Sequence, residues 1–148
     1  MRPRRFAPLI LLGVLVPMTG CASLRTGDRS EAEHGVSFEH GAVILTGQAL
    51  HDGPGSVLAA MSGKVPNFRV RRHRGECPEI TLRGHVSFRD VSNPHVYVDG
   101  TRSTDTCILE TLRTEDVERV EVYPQGFTTR PGYGTHGPGL ILVFMRSG

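Results

Sequence analysis

Beyond residue 41 the apolar residues of this chain fall in short runs, each the length of a strand or a single helical turn. None approaches the roughly 20 residues that a membrane helix needs. Ala42 to Leu45 is an unbroken apolar run suited to a buried strand, with Thr46 placed to cap a helix. After turn signals from His51 to Gly55, the residues Val57, Leu58 and Met61 recur at helical spacing. Ser56 precedes them as a cap, Gly63 ends the turn and Pro66 forbids its continuation. Phe68 and Val70 then alternate with Arg69 and Arg71, and Ile80 and Leu82 with Thr81 and Arg83, which predicts two strands with one solvated face each. Glycines 75 and 84 bracket the second of them.

His95 to Val98 reads as a further strand, and Asp99-Gly100 directly after it is a turn signal because both residues tolerate positive φ. Thr104 or Asp105 caps a short helix with Ile108, Leu109 and Leu112 on its apolar face. Thr114 opens a turn that feeds a strand from Val117 to Tyr123, where Val120 and Val122 share a face. The last run, Leu140 to Phe144, does not alternate, so both of its faces are expected to be covered. Strands interspersed with short helices predict an α+β domain, one mixed sheet with helices packed on it, over residues 42–148.

The order of these segments, VLAAMSGKVPNFRVRR, ITLRGHVSF, PHVYVDGTR, EDVERVEVY and PGYGTHGPGLILVFMRSG, resembles the plug domain of TonB-dependent outer-membrane receptors, especially their SusC-like branch. Asp99, Gly100 and Arg102 match the VDG-x-R of that family, a turn that fixes the sheet. The glycine-rich stretch Pro131 to Gly139 matches its tyrosine-glycine turn, with Pro138 as a stiffening departure. In such receptors a barrel follows the plug, whereas this sequence ends at Gly148, so a plug-like domain without a barrel is expected. Gly35 to Glu39 (GVSFE) has the character of the strand-forming TonB box, though short β-prone segments are poorly specified.

The amino-terminal residues set the expected location. Arg2, Arg4 and Arg5 precede the apolar run Phe6 to Val16, the layout of an export signal, and the small residues Thr19 and Gly20 stand before Cys21 as in a bacterial lipobox. The sequence therefore predicts a signal peptide over residues 1–20 and an acylated Cys21, palmitate included. Two or more acyl chains anchor stably at about 0.8 kcal/mol per buried methylene. Ala22 is not the acidic residue that marks inner-membrane retention in lipoproteins, which favours the periplasmic face of the outer membrane. The polar segment 21–41, poor in large apolar residues, is expected to be a flexible linker. Removing residues 1–20 leaves 14 Lys+Arg against 15 Asp+Glu, a net of −1, so the basic balance of the full chain gives no argument for nucleic acid.

Signals for chemistry are weak. Seven histidines form no H-E-x-x-H and the cysteines no C-x-x-C, so neither a metal nor a cofactor is expected. With Cys21 assigned to the lipid, Cys77 and Cys107 remain in an oxidising compartment, and a disulfide between them is expected, with two buried free thiols as the alternative. Glu76 beside Cys77 gives no activation of a thiolate. Arg69, Arg71, Arg72 and Arg74 make a basic edge that suits a solvated strand or a lipid phosphate.

The expectation is a non-enzymatic, lipid-anchored interaction module that docks on an outer-membrane barrel or another envelope protein. Its candidate partner surface comprises Asp99, Gly100, Arg102, Phe127 and Tyr133, with Phe127 exposed in a loop that has no periodicity. The alternative is a ligand- or glycan-binding lipoprotein, with a shallow site between the loop Asp99 to Asp105 and the turn Gly132 to Gly139.

Overall fold

A computed structural model of the chain describes residues 35–52, 55–83 and 92–147. The expected signal peptide, Cys21, most of the linker and Gly84 lie outside the described residues. The main sheet has six strands in the order β1-β2-β7-β8-β5-β6. These are β1 (Val36–Glu39), β2 (Ala42–Thr46), β5 (His95–Val98), β6 (Thr101–Arg102), β7 (Val117–Tyr123) and β8 (Leu140–Met145). A separate ribbon pairs β3 (Arg69–Arg71) with β4 (Glu79–Thr81). Among the described residues there are also three one-turn helices, α1 (Gln48–His51), α2 (Val57–Met61) and α3 (Ile108–Thr111), and a 3-10 turn at Thr114–Asp116. The α+β expectation therefore holds, with the ribbon as a second, smaller sheet.

Two local expectations are corrected. The linker reading fails at its carboxyl end, because Val36–Glu39 is a strand paired antiparallel with β2, in register Val36 to Leu45 and Glu39 to Ala42. His40 and Gly41 turn this hairpin with φ of 48° and 80°, just as Asp99 and Gly100 turn β5 into β6 with 46° and 80°. Such two-residue turns match the twist of paired strands, and a sheet neighbour supplies hydrogen bonds that composition cannot reveal. The segment GVSFE is thus built into the sheet edge. Thr46 is the second correction: it ends β2, and Gly47 holds the helix-cap position without a side-chain bond. Ser56 does cap α2, accepting from the Ala59 amide at 3.3 Å.

Period-two alternation gives the sheet two faces of unlike chemistry. On one, Leu45, Val96, Val120, Val122, Ile141 and Val143 meet Leu50, Leu58, Met61 and Leu109 from the helices and Ile80 and Leu82 from the ribbon side. The other carries Ala42, Tyr97, Tyr123, Leu140 and Leu142, with Ile44, Tyr133 and Phe144 packed on them. β8 contributes to both clusters, as its unbroken apolar run predicts, and runs parallel to β5 and antiparallel to β7. Cys77 and Cys107 are joined by a disulfide with Cα atoms 4.8 Å apart, tying the loop before β4 to the start of α3. Among the described residues no helix is long and apolar enough to cross a membrane.

Candidate functional site

The face turned away from the helices is covered by the segment 124–139, which connects β7 to β8. Its neck is closed by backbone bonds, from the Gly126 amide to Tyr123 O at 3.0 Å and from the His136 amide to Gly126 O at 2.8 Å. Gly126 has φ of 72°, and a Cβ there would collide with the His136 carbonyl, so the neck requires glycine.

Three attachments hold this segment to the sheet. Glu121 in β7 is only 1% exposed, and an uncompensated carboxylate would be strongly disfavoured there. Arg130 reaches it bidentately, Nε to Oε2 at 2.7 Å and Nη2 to Oε1 at 2.6 Å, while the Tyr123 hydroxyl donates to Oε2 at 2.9 Å. This carboxylate holds the Arg130 guanidinium above its ordinary value, and burial raises the Tyr123 phenol, so both keep their protons. Arg119 Nε lies 3.0 Å from Glu121 Oε1 but off the hydrogen-bonding direction and has no hydrogen-bond partner. Both guanidiniums sit over the Phe144 ring, at 4.6 Å and 5.3 Å from its centroid. The second attachment is Tyr133, edge-on to Tyr97 with centroids 5.0 Å apart. His136 is the third, stacked on His95.

The sequence-predicted surface residues fall into this region with different roles. Asp99 is structural: its Oδ1 accepts from the Met145 amide at 2.9 Å and secures the end of β8. Gly100 lies beside the Tyr133 hydroxyl, which a Cβ would approach to 3.9 Å. Arg102 donates to His95, and Tyr133 packs into the second cluster rather than standing free. Phe127 is 56% exposed, as its aperiodic setting predicts. The Glu121–Arg130 pair was missed because Glu121 reads as a solvated position of an alternating strand and its partner lies in an irregular loop. The position of Glu121 between Arg119 and Tyr123, all on the face opposite Val120 and Val122, was the available signal.

Other candidates are accounted for. Cys77, Asp105 and Cys107 bring metal-type ligand atoms together, but both thiols are consumed by the disulfide. Asp105 Oδ1 instead accepts from the Cys107 amide at 2.9 Å, supporting the first turn of α3. The arginine edge is solvated, with Arg72 on Glu110 at 3.0 Å. A shallow groove of about 300 Å³ lies where the segment 124–139 begins, lined by apolar groups including Phe38, Val43, Pro66, Leu82 and Pro124.

A family model described as TonB-dependent Receptor Plug Domain matches residues 40–139. The chain belongs to the plug-domain family. Among solved structures the chain is similar to the RagAB peptide importer in the "closed-closed" state, with a TM-score of 0.55 and 19% identity. That match covers 75% of this chain and 13% of the other, so it supports the shared plug fold. No curated protein matches. Within the plug domain the family match includes β2, both hairpin-turn residues Asp99 and Gly100, and the whole covering segment 124–139.

Proposed function

We propose that this plug domain is a non-enzymatic interaction module, held at the periplasmic face of the outer membrane by acylated Cys21, that docks on an outer-membrane barrel or another envelope protein. Family membership supports the transport setting, and one observation carries the docking surface. Phe38 and Phe127 are the exposed large hydrophobic residues of the described chain, at 53% and 56%, and Phe127 stands on the segment that covers the helix-free face. An exposed aromatic on a loop braced by a buried ion pair is preorganised for contact, since little order remains to be lost on binding. The rival reading of a polar ligand site near Asp99 to Asp105 has less support, because Asp99, Arg102 and Asp105 are engaged internally and the groove by Phe38 is apolar.

A photo-crosslinking amino acid at position 127, introduced in intact cells, tests the docking surface. Specific capture of an outer-membrane barrel, lost when the Gly126 neck is disrupted by G126V, is the expected result. Capture of no envelope protein overturns this surface. Replacing Cys21 with Ser tests the anchor separately: the protein should move to the soluble periplasmic fraction, and unchanged membrane association removes the lipid from the proposal.

A further inference from the structure

The histidine attachment differs from the other two in being titratable near neutrality. His95 begins β5 and His136 lies near the carboxyl end of the covering segment, and their rings stack with centroids 3.4 Å apart and planes 6° from parallel. Arg102, on β6, places Nη2 2.6 Å from His95 Nε2. A guanidinium can only donate, so His95 Nε2 must accept and this imidazole is neutral, with its proton on Nδ1. His136 Nε2 lies 2.9 Å from the Asn93 carbonyl, which can only accept, so that nitrogen carries a proton. One geometry therefore makes the His95 ring neutral and puts a proton on His136 Nε2.

We infer that His95, His136 and Arg102 form an acid-sensitive latch that fastens the carboxyl end of the segment 124–139 to the sheet at neutral pH and loosens it on acidification. A proton on His95 Nε2 would point a donor at the Arg102 donor, break their bond and place a cation between the guanidinium and the other imidazole. Among the described residues, Arg102 from β6 and His136 from the covering segment are the charged or titratable groups acting on His95, and no described carboxylate offsets them. Burial, then His136, then Arg102 hold His95 below its ordinary 6.5. The neutral form is thus the one that folding favours, so the latch contributes fully above pH 6.5 and its contribution is lost as pH falls below that value. The Arg130–Glu121 ion pair and the Tyr133–Tyr97 contact do not involve these imidazoles, so opening is confined to the His136 end. The backbone bonds from His95 N to Gly139 O and from Gly139 N to His136 O, at 3.0 Å and 2.8 Å, report it directly. Because the same segment carries Phe127, opening would couple the proposed docking surface to pH, a consequence that rests on that reading although the latch itself does not.

Amide hydrogen exchange on the full chain without any partner, between pH 7.5 and pH 5 and corrected for intrinsic rates, tests the latch. Protection at His95, His136 and Gly139 should fall severalfold on acidification while that of Val120 and Val122 is kept. His95→Phe, which preserves a stacking ring but cannot gain a proton, should make the same amides indifferent to pH. In Arg102→Gln the NMR titration of the His95 ring should move upward. Acid-independent protection in the native chain, an unaltered pH response in His95→Phe or an unmoved His95 titration in Arg102→Gln would each overturn the inference.

Discussion

The two faces of the main sheet are held by different physics. On the helix side, Leu45, Leu50, Leu58 and Leu109 are at most 1% exposed and join residues from the strands, the helices and the ribbon in one apolar cluster. That attraction is non-directional and spread over many contacts, so no single geometry decides it. The loop side buries a carboxylate and two tyrosines, packs a half-buried third against them, and depends on three directed attachments from one segment. Apolar packing makes the domain stable, whereas the polar side specifies one arrangement of a segment that composition alone would leave loose.

The comparison can be broken most sharply on the helix side. Leu58→Ala should cost about 4 kcal/mol, since a fully buried leucine loses both transfer energy and packing. Chemical denaturation would measure it, and a loss no larger than that of a surface substitution would show that α2 is not part of the stabilising core. Replacing Cys77 and Cys107 together by Ser should cost about 3 to 4 kcal/mol through the freed unfolded chain. Thermal melts with and without reductant should reproduce that loss in the native chain and leave the double variant unaffected by reductant.

On the loop side, Arg130→Ala should cost about 2 kcal/mol by leaving the Glu121 carboxylate with only the Tyr123 hydroxyl and poorly aligned Arg119. Adding Glu121→Gln should restore part of the loss, because the amide carries no charge to strand. A double variant no more stable than Arg130→Ala would separate the arginine from the carboxylate it contacts. The smallest effect belongs to Phe127→Ala, expected to change stability by about 0.5 kcal/mol or less while lowering partner capture. Severe destabilisation would make Phe127 a core residue and remove it from the docking surface.

The sequence by itself determined the element types wherever local chemistry was sufficient. Ser56 before Val57 marked a helix start, Asp99-Gly100 marked a hairpin, and the unbroken run at Leu140 marked a strand covered on both faces. Each of these depends on neighbours in sequence: a cap, two positive φ angles, a side-chain period. Tertiary structure alone decided that Val36–Glu39 leaves the polar segment to become a sheet edge, because its hydrogen-bond partners lie in β2. It also decided that Glu121 is buried and that His95 and His136 stack, since Arg130 and His136 sit in an aperiodic stretch whose path is set by closure of the Gly126 neck. Periodicity reports which face a residue occupies, but what covers that face is fixed only when distant segments meet.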